Sequence, residues 1–421
     1  MTRDEMTAFL ERVLEQASLP DAVAVLEERR RATSRFGQNR VTQSSDTFTR
    51  NLVLSVGSEG RKASASTHRI DPDAAGAFVR ATEEAALSAP VDPEYMPPVE
   101  DGQVYPLIES YDEETAAAPA SLRSDAASAA ISAAESSGME AAGLIEMRTD
   151  RSCVATSTGN MAFHESTGAV FRLTMDRGVP SSYRSMAATA WREIDVPGTV
   201  EGVRAEVLDA ADPRDLPERG TDMVLEPQAV ADLVPYIVYM LQAREADEGL
   251  TAFSGKLDQK VTGDLITMYS DLHGPVPGRP FDDEGLPAQD ITWIENGVLR
   301  THLCNRFWAR KTGRPPVSSP GCFYLGGSEE ASSADLVKRL DRGLLIRRFW
   351  YIRFIDQKEL SLTGMTRDGV FWVEDGKVRF PVRDFRWNEH VLDLFARTAF
   401  LGTPERKDSV MAPPALIRGR S

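Results

Sequence analysis

The chain has 421 residues, enough for two or three ordinary domains, and its 42% hydrophobic and 27% charged content is that of a globular protein. No apolar run reaches the roughly 18–20 residues needed to cross a bilayer. The formal net charge of −16 weighs against nucleic acid and against an anionic membrane as partners, because their phosphates would be repelled.

Residues 4–18 read as an amphipathic helix with Met6, Phe9, Leu10, Val13 and Leu14 on one face. This N-terminus has neither the apolar segment nor the cleavage pattern of a signal peptide, so the expected location is the cytoplasm. Alternating runs at 22–30, 34–42, 48–56 and 60–66 predict strands, punctuated by Gly37, Gly57 and Gly60, with Gly57–Gly60 as a hairpin turn. A helix over 74–88 follows, capped by Asp71 or Asp73. The Pro- and Asp-rich stretch 89–113 suits a connector, and the Ala/Ser-rich stretch 114–137 predicts one helix ending at Gly138. Strands are expected at 141–149, 151–157, 161–175 and 183–192, with Thr158-Gly159-Asn160 turning between the second and third. A helix near 200–211 ends before Pro213.

A strand at 221–226 runs into Pro227, which suits the first turn of a helix over 227–242. That helix is apolar on several sides and should be buried, with a kink or break at Pro235. Later strands are predicted at 265–270, 289–295, 298–303, 344–355, 358–364, 369–374 and 377–382. Tight turns fall at Glu295-Asn296-Gly297 and Glu374-Asp375-Gly376. A last helix over 388–397 follows Asn388 as its cap. The expected class is α+β: an N-terminal unit of antiparallel strands and helices, and a C-terminal, mixed but largely antiparallel sheet unit around a buried helix. The boundaries are 1–112, 113–219 (a middle segment that can belong to the first domain) and 220–421.

Chemistry is sparse. Cys153, Cys304 and Cys322 form no CxxC pair, which argues against disulfides and a structural zinc site. A metallopeptidase needs imidazole or thiolate ligands, an open water position and a carboxylate base. His164-Glu165 has no second histidine within a turn, and His302 with Cys304 lacks a third ligand. Ser254-Gly255 and Ser328 are not in a GxSxG frame. Cys322 sits among glycines without an assignable base. The acidic clusters Glu245, Asp247, Glu248 and Asp282, Asp283, Glu284 read first as solvated loops. The second also reads as a loop whose Gly285 and Pro287 set up the following strand. No catalytic residue is assigned.

Three segments carry a family resemblance. They are Phe281-Asp282-Asp283-Glu284-Gly285-Leu286-Pro287 continuing through Ile294-Glu295-Asn296-Gly297, then Gly369 through Glu374-Asp375-Gly376-Lys377 to Pro381-Val382 and Arg386, and Ala252-Phe253-Ser254-Gly255. In order and spacing the chain resembles the TldD/PmbA family of peptidases. That family pairs two related chains, of which the TldD type carries HExxxH on a helix before the FSG element, plus a downstream cysteine. Counting back from Phe253, the metal slots fall near Val234, Pro235 and Tyr239, and no histidine lies between His164 and His273. The tail Met411-Ala412-Pro413-Pro414 has no cysteine.

The resemblance implies a TldE/PmbA-like subunit with no cofactor of its own, zinc in an HExxxH-bearing partner, and a small or unfolded peptide as substrate. Two other readings stand beside it. One is a stand-alone enzyme using the Asp282–Glu284 cluster, His302, Cys304 or Cys322, which would be active without a partner. The other is a non-enzymatic binding or scaffold protein.

Overall fold

The computed structural model describes residues 1–178, 180–210, 212–327 and 330–420, with the backbone alone at Pro72 and Asp73. Ser328 lies outside the described residues.

The N-terminal sheet has the order β3-β2-β1-β4-β5-β6, antiparallel throughout. It opens with α1 (Arg3–Glu15), which starts in a capping box between Thr2 and Glu5. Strands β1 (Asp21–Gly37), β2 (Arg40–Ser58) and β3 (Arg61–Thr67) follow. The sequence suggests two strands at 22–30 and 34–42, but β1 runs unbroken through Arg31. The hairpin forms instead at Gln38 and Asn39, both with positive φ, because Asn tolerates the left-handed region that a two-residue turn demands. The turn at Glu59-Gly60 is of the same kind.

α2 (Pro72–Ser88) is capped by Asp71, whose carboxylate accepts from Ala74 N at 2.7 Å. The expected helix over 114–137 is two helices, α3 (Glu113–Ala116) and α4 (Ala120–Ser136), separated by Pro119, which disfavours helix in the residue before it. Then come β4 (Glu140–Thr156), β5 (Met161–Asp176), β6 (Ser181–Ala188) and α5 (Val196–Asp209). The expected break at 150 is absent, since β4 pairs along its length with β1 and β5. Strands from 1–112 and 113–219 thus share one sheet. One face of it is covered by α1 and α2 at one end and by α4 and α5 at the other.

The C-terminal unit begins with β7 (Asp222–Leu225), α6 (Pro227–Met240) and α7 (Ala243–Asp247). Next are β8 (Met268–Ser270), β9 (Ile291–Glu295), β10 (Val298–Leu299), α8 (Arg306–Thr312), β11 (Phe323–Leu325) and α9 (Ser333–Val337). The expected strand over 344–355 is split into β12 (Arg342–Ile346) and β13 (Phe349–Asp356), which belong to different sheets. Strands β14 (Ser361–Thr366), β15 (Val370–Glu374), β16 (Lys377–Pro381) and β17 (Arg386–His390) lead to α10 (Val391–Ala396). The final helix therefore starts three residues after Asn388, because Arg386–His390 are held in a ladder with β14. Strands β18 (Thr398–Leu401), β19 (Glu405–Lys407), β20 (Val410–Ala412) and β21 (Ala415–Ile417) complete the chain.

Two six-stranded sheets result, β10-β9-β8-β11-β20-β19 and β16-β15-β12-β7-β21-β18, with a three-stranded sheet β13-β14-β17 beside them. The β11–β20 and β12–β7 pairs are parallel. Ala229, Val230, Leu233, Val234 and Ile237 of α6 are buried among Trp293 and Ile294 of the first sheet and Leu344, Ile346 and Trp372 of the second. The helix passes through Pro235 without breaking. The proline is exposed, so its ring occupies the outer side, while the packed side keeps the helix in register.

Candidate functional site

The helix α6 is the natural place to begin, because the resemblance puts its metal slots there. Val234 is 1% exposed and points into the core. Pro235 and Tyr239 lie on the outer side, with Tyr239 56% exposed. Gln228, Asp232, Tyr236 and Tyr239 follow one another at helical spacing and make the face that β13 flanks.

Asp232 and Tyr236 on that face are engaged. Asp232 accepts from Gln228 Nε2 and from Phe349 N, each at 2.8 Å. Burial pushes its carboxyl up to about 6, and those two donors work in the opposite direction. Tyr236 donates to Ile352 O at 3.0 Å, and its ring meets Phe354 edge-on at 5.2 Å. Tyr239 packs on Phe354 at 5.7 Å. The slots therefore offer a buried isopropyl group, a pyrrolidine ring and a phenol, and Asp232 is a lone carboxylate already holding two donors. This set does not fit a zinc ion, which needs imidazole, thiolate or several carboxylates. Among the described residues no three His, Cys, Asp or Glu side chains converge as a metal site.

The other singled-out residues are scattered. His164 is held neutral, its pKa lowered to about 4 by burial and by Arg279, and its Nε2 lies 3.3 Å from Ser110 Oγ. Glu165, on the opposite face of β5, pairs with Arg151 at 3.0 Å. His302 is 8% exposed, and neither ring nitrogen has a partner among the described residues. Burial lowers its pKa. Cys304 is buried, its thiol pushed up by desolvation.

Cys322 is fully buried, with its thiol pushed up to about 12 chiefly by burial, and Cys153 is raised to the same value for the same reason. A thiol that far from thiolate is a poor nucleophile. We expect a thiol reagent to label none of the three cysteines in the native chain and all three after denaturation. Stoichiometric labelling of the native protein at Cys322, measured by mass, would contradict the burial described here.

The acidic clusters are structural. Asp282 accepts from Glu284 N at 3.0 Å and Leu286 N at 2.9 Å, closing a loop through Gly285 (φ +80°). Asp283 and Glu284 pair with Arg279 and Arg306 at 3.2 Å each. Asp247 accepts from Trp308 Nε1 at 2.7 Å and pairs with Arg314, and Glu248 pairs with Arg244 at 3.2 Å. Ser254 Oγ donates to Thr251 O at 2.8 Å, as part of a turn.

Two features escaped the sequence reading. The first is the outer surface of β13, an edge strand on which Trp350, Tyr351 and Ile355 are 46%, 61% and 55% exposed. Tyr351 has φ +52°, a strained conformation for an aromatic residue. Arg353 stacks over Tyr351 at 4.3 Å and Arg367 over Trp350 at 4.7 Å. The signal was present in the run Arg347-Arg348-Phe349-Trp350-Tyr351-Ile352-Arg353-Phe354, which is too dense in arginine for a core strand.

The second is a cavity of about 660 Å³ between the two units, at the start of α6. Tyr183, Glu206, Glu226, Gln228, Arg347 and Lys407 are among the residues that line it. Arg347, 12% exposed, pairs with Glu206 and lies 3.6 Å from Glu226. Burial opposes the charge on Glu206, yet Arg347 and the Ser182 hydroxyl hold it below the usual carboxylate range. Glu226 is pushed upward by its burial.

Residues 218–421 match the PmbA/TldA metallopeptidase C-terminal domain. The metalloprotease PmbA of Escherichia coli O157:H7 is 23% identical over 246 residues, which is 56% of this chain and 53% of that protein. A metalloprotease PmbA homolog from Buchnera aphidicola is 24% identical over 168 residues, 38% of this chain and 36% of that one. The matches thus span about half or less of the length of these curated relatives. The crystal structure of TldE from Thermococcus kodakarensis has the same fold, with a TM-score of 0.87 at 17% identity, covering 99% of this chain and 98% of that one.

Proposed function

Because the chain belongs, through its C-terminal domain, to the TldD/PmbA family, we propose that it is a TldE/PmbA-like, non-catalytic subunit of a heterodimeric zinc metallopeptidase acting on small or unfolded peptides. The observation that carries this reading is the chemistry of α6. Val234, Pro235 and Tyr239 stand where a TldD-type chain would have its ligands and base, and none of them can hold a divalent cation. Zinc and the hydrolytic step then belong to an HExxxH-bearing partner. The aromatic and arginine side chains on β13, beside the outer face of α6, have the composition of interface hot spots. They are the surface we assign to that partner. The chain's own part is to wall the chamber and position an extended peptide. A cytoplasmic location goes with this reading, and among the described residues no helix is long and apolar enough to cross a membrane.

Co-expression with an HExxxH-bearing chain of the family tests the proposal. The expected product is a heterodimer by size, holding one zinc, and peptidase activity that disappears when the partner's first histidine is changed. Zinc bound stoichiometrically by the present chain alone, or peptidase activity of this chain without a partner, would refute it.

A further inference from the structure

The N-terminal sheet covers one face with helices and turns the other toward the C-terminal unit. Near the middle of that second face the strand register sets nine positions in three rows. These are Glu27, Ser152 and His164, then Arg29, Asp150 and Ser166, then Arg31, Arg148 and Gly168. Loops of the C-terminal unit around residues 276–279, 320–321 and 406–409 close over them, leaving a cavity of about 370 Å³, within the range of small-ligand sites. Its lining holds six arginines (29, 31, 148, 151, 279 and 406) against three carboxylates, Glu27, Asp150 and Asp408. That is an excess of three positive charges in a chain whose net charge is −16.

The carboxylates are already committed. Glu27 pairs with Arg29 at 2.7 Å, Asp150 Oδ1 lies 2.8 Å from Arg31 but outside hydrogen-bond geometry, and Asp408 pairs with Arg172. Arg151 and Arg279 have Glu165 and Asp283, at 3.0 and 3.2 Å. Two guanidinium groups remain. Arg406 donates only to neutral oxygens: Pro275 O at 2.8 Å, Thr189 Oγ1 at 3.0 Å and Asp408 O at 3.4 Å. Arg148 has neither a hydrogen bond nor an ion pair among the described residues.

Arg148 is nevertheless firmly seated. Gly168 faces it across the ladder, and a Cβ there would collide with Arg148 Nε. Glycine weakens a strand interior, and its missing side chain at this position leaves the space that Arg148 occupies. Ser152 Oγ is buried in the same cavity without a partner. Burial and then the neighbouring Arg148 lower the pKa of Arg406, outweighing the opposite pull of Glu193 and Asp408.

We propose that this cavity binds a small oxyanion, a carboxylate or phosphate group held by Arg148 and Arg406. The guanidinium fork matches either group, and a bound oxyanion satisfies two part-buried cations that the chain itself leaves unmatched. The site is independent of the peptidase reading and lies on the face of the N-terminal sheet opposite its helices.

The test uses the full chain and calorimetric titration with inorganic phosphate and, separately, succinate, at an ionic strength held constant with chloride. Saturable binding of at least one anion is expected. Arg148→Met should weaken it at least tenfold, Gly168→Ala should weaken it by displacing the arginine, and Lys358→Met, on a distant turn, should leave it unchanged. Phosphate binding without succinate assigns a phosphate ligand, and the reverse assigns a carboxylate. No saturable heat from either anion with the native chain would overturn the proposal, whatever the variants do. So would equal affinity in a folded Arg148→Met protein, folding being checked by circular dichroism.

Discussion

Urea unfolding of the Trp293→Ala variant should show a loss of about 3–5 kcal/mol, the range for deleting a large aromatic side chain from a packed core. Trp293 is fully buried between the two C-terminal sheets, 6.3 Å from the Phe323 ring. Its Nε1 donates to Ser270 Oγ at 2.9 Å, and Ser270 donates in turn to Cys322 O at 2.5 Å. Alanine removes the ring from beside α6 and breaks the link from β9 to β8. Trp293→Phe separates the two contributions, because it keeps most of the apolar volume and loses only the hydrogen bond. It should cost about 1–2 kcal/mol, the scale of one lost hydrogen bond with a small void. A Trp293→Ala variant within 1 kcal/mol of the parent would mean that the sheets do not close on this residue.

The second large effect is expected from Arg347→Met, at about 3 kcal/mol or more, since removing one partner of a buried ion pair strands the other charge. Here Glu206 would lose one of its two close cations, keeping Arg184, and Glu226 would lose its nearest cation, at the junction of the two units. The pH dependence gives a sharper check. In the parent, Glu206 is held below its ordinary pKa. Its contribution is therefore present above the unfolded value and is lost as pH falls through the folded one. In the variant Glu206 keeps only Arg184 and Ser182 and Glu226 has lost its cation, so both carboxyls move upward and protonation on acidification relieves the strain instead. The stability gap between parent and variant should narrow as pH falls from neutral toward 4, measured by denaturation at each pH. A gap that stays constant or widens would show that the charges are not coupled as described.

The fold class could be read from the sequence because its signals are local. The stripe of Met6, Phe9, Leu10 and Val13 forms α1, and Asn296-Gly297 and Asp375-Gly376 form the turns they demand, with positive φ at all four positions. Strand lengths in the N-terminal sheet were less legible. Arg29, Arg30 and Arg31 interrupt the alternation of β1, yet they remain in strand because neighbours on both sides pair with them. The short strands β18 to β21 carry no periodic signal, as three or four residues are too few to show one. Their conformation comes from partners distant in sequence, such as β7 and β11.

At the candidate site the lack of histidine and cysteine in 227–242 can be read from the sequence. Which of those residues face outward cannot, because the helix is largely apolar on several sides and only packing separates buried Val234 from exposed Tyr239. The arginine-rich cavity was hidden for another reason. Its walls are set by the register between β1, β4 and β5 and by loops more than 100 residues further on.

The position of β7 between β12 and β21 has a consequence for synthesis. When Asp222–Leu225 leave the ribosome, neither flanking strand has been made, whereas every strand of the N-terminal sheet, complete at residue 188, is already available. The first half can mature during translation. The second must keep an apolar strand with both edges open until Arg342–Ile346 emerge and with one edge open until Ala415–Ile417 do, and it is most vulnerable to misassembly during that interval.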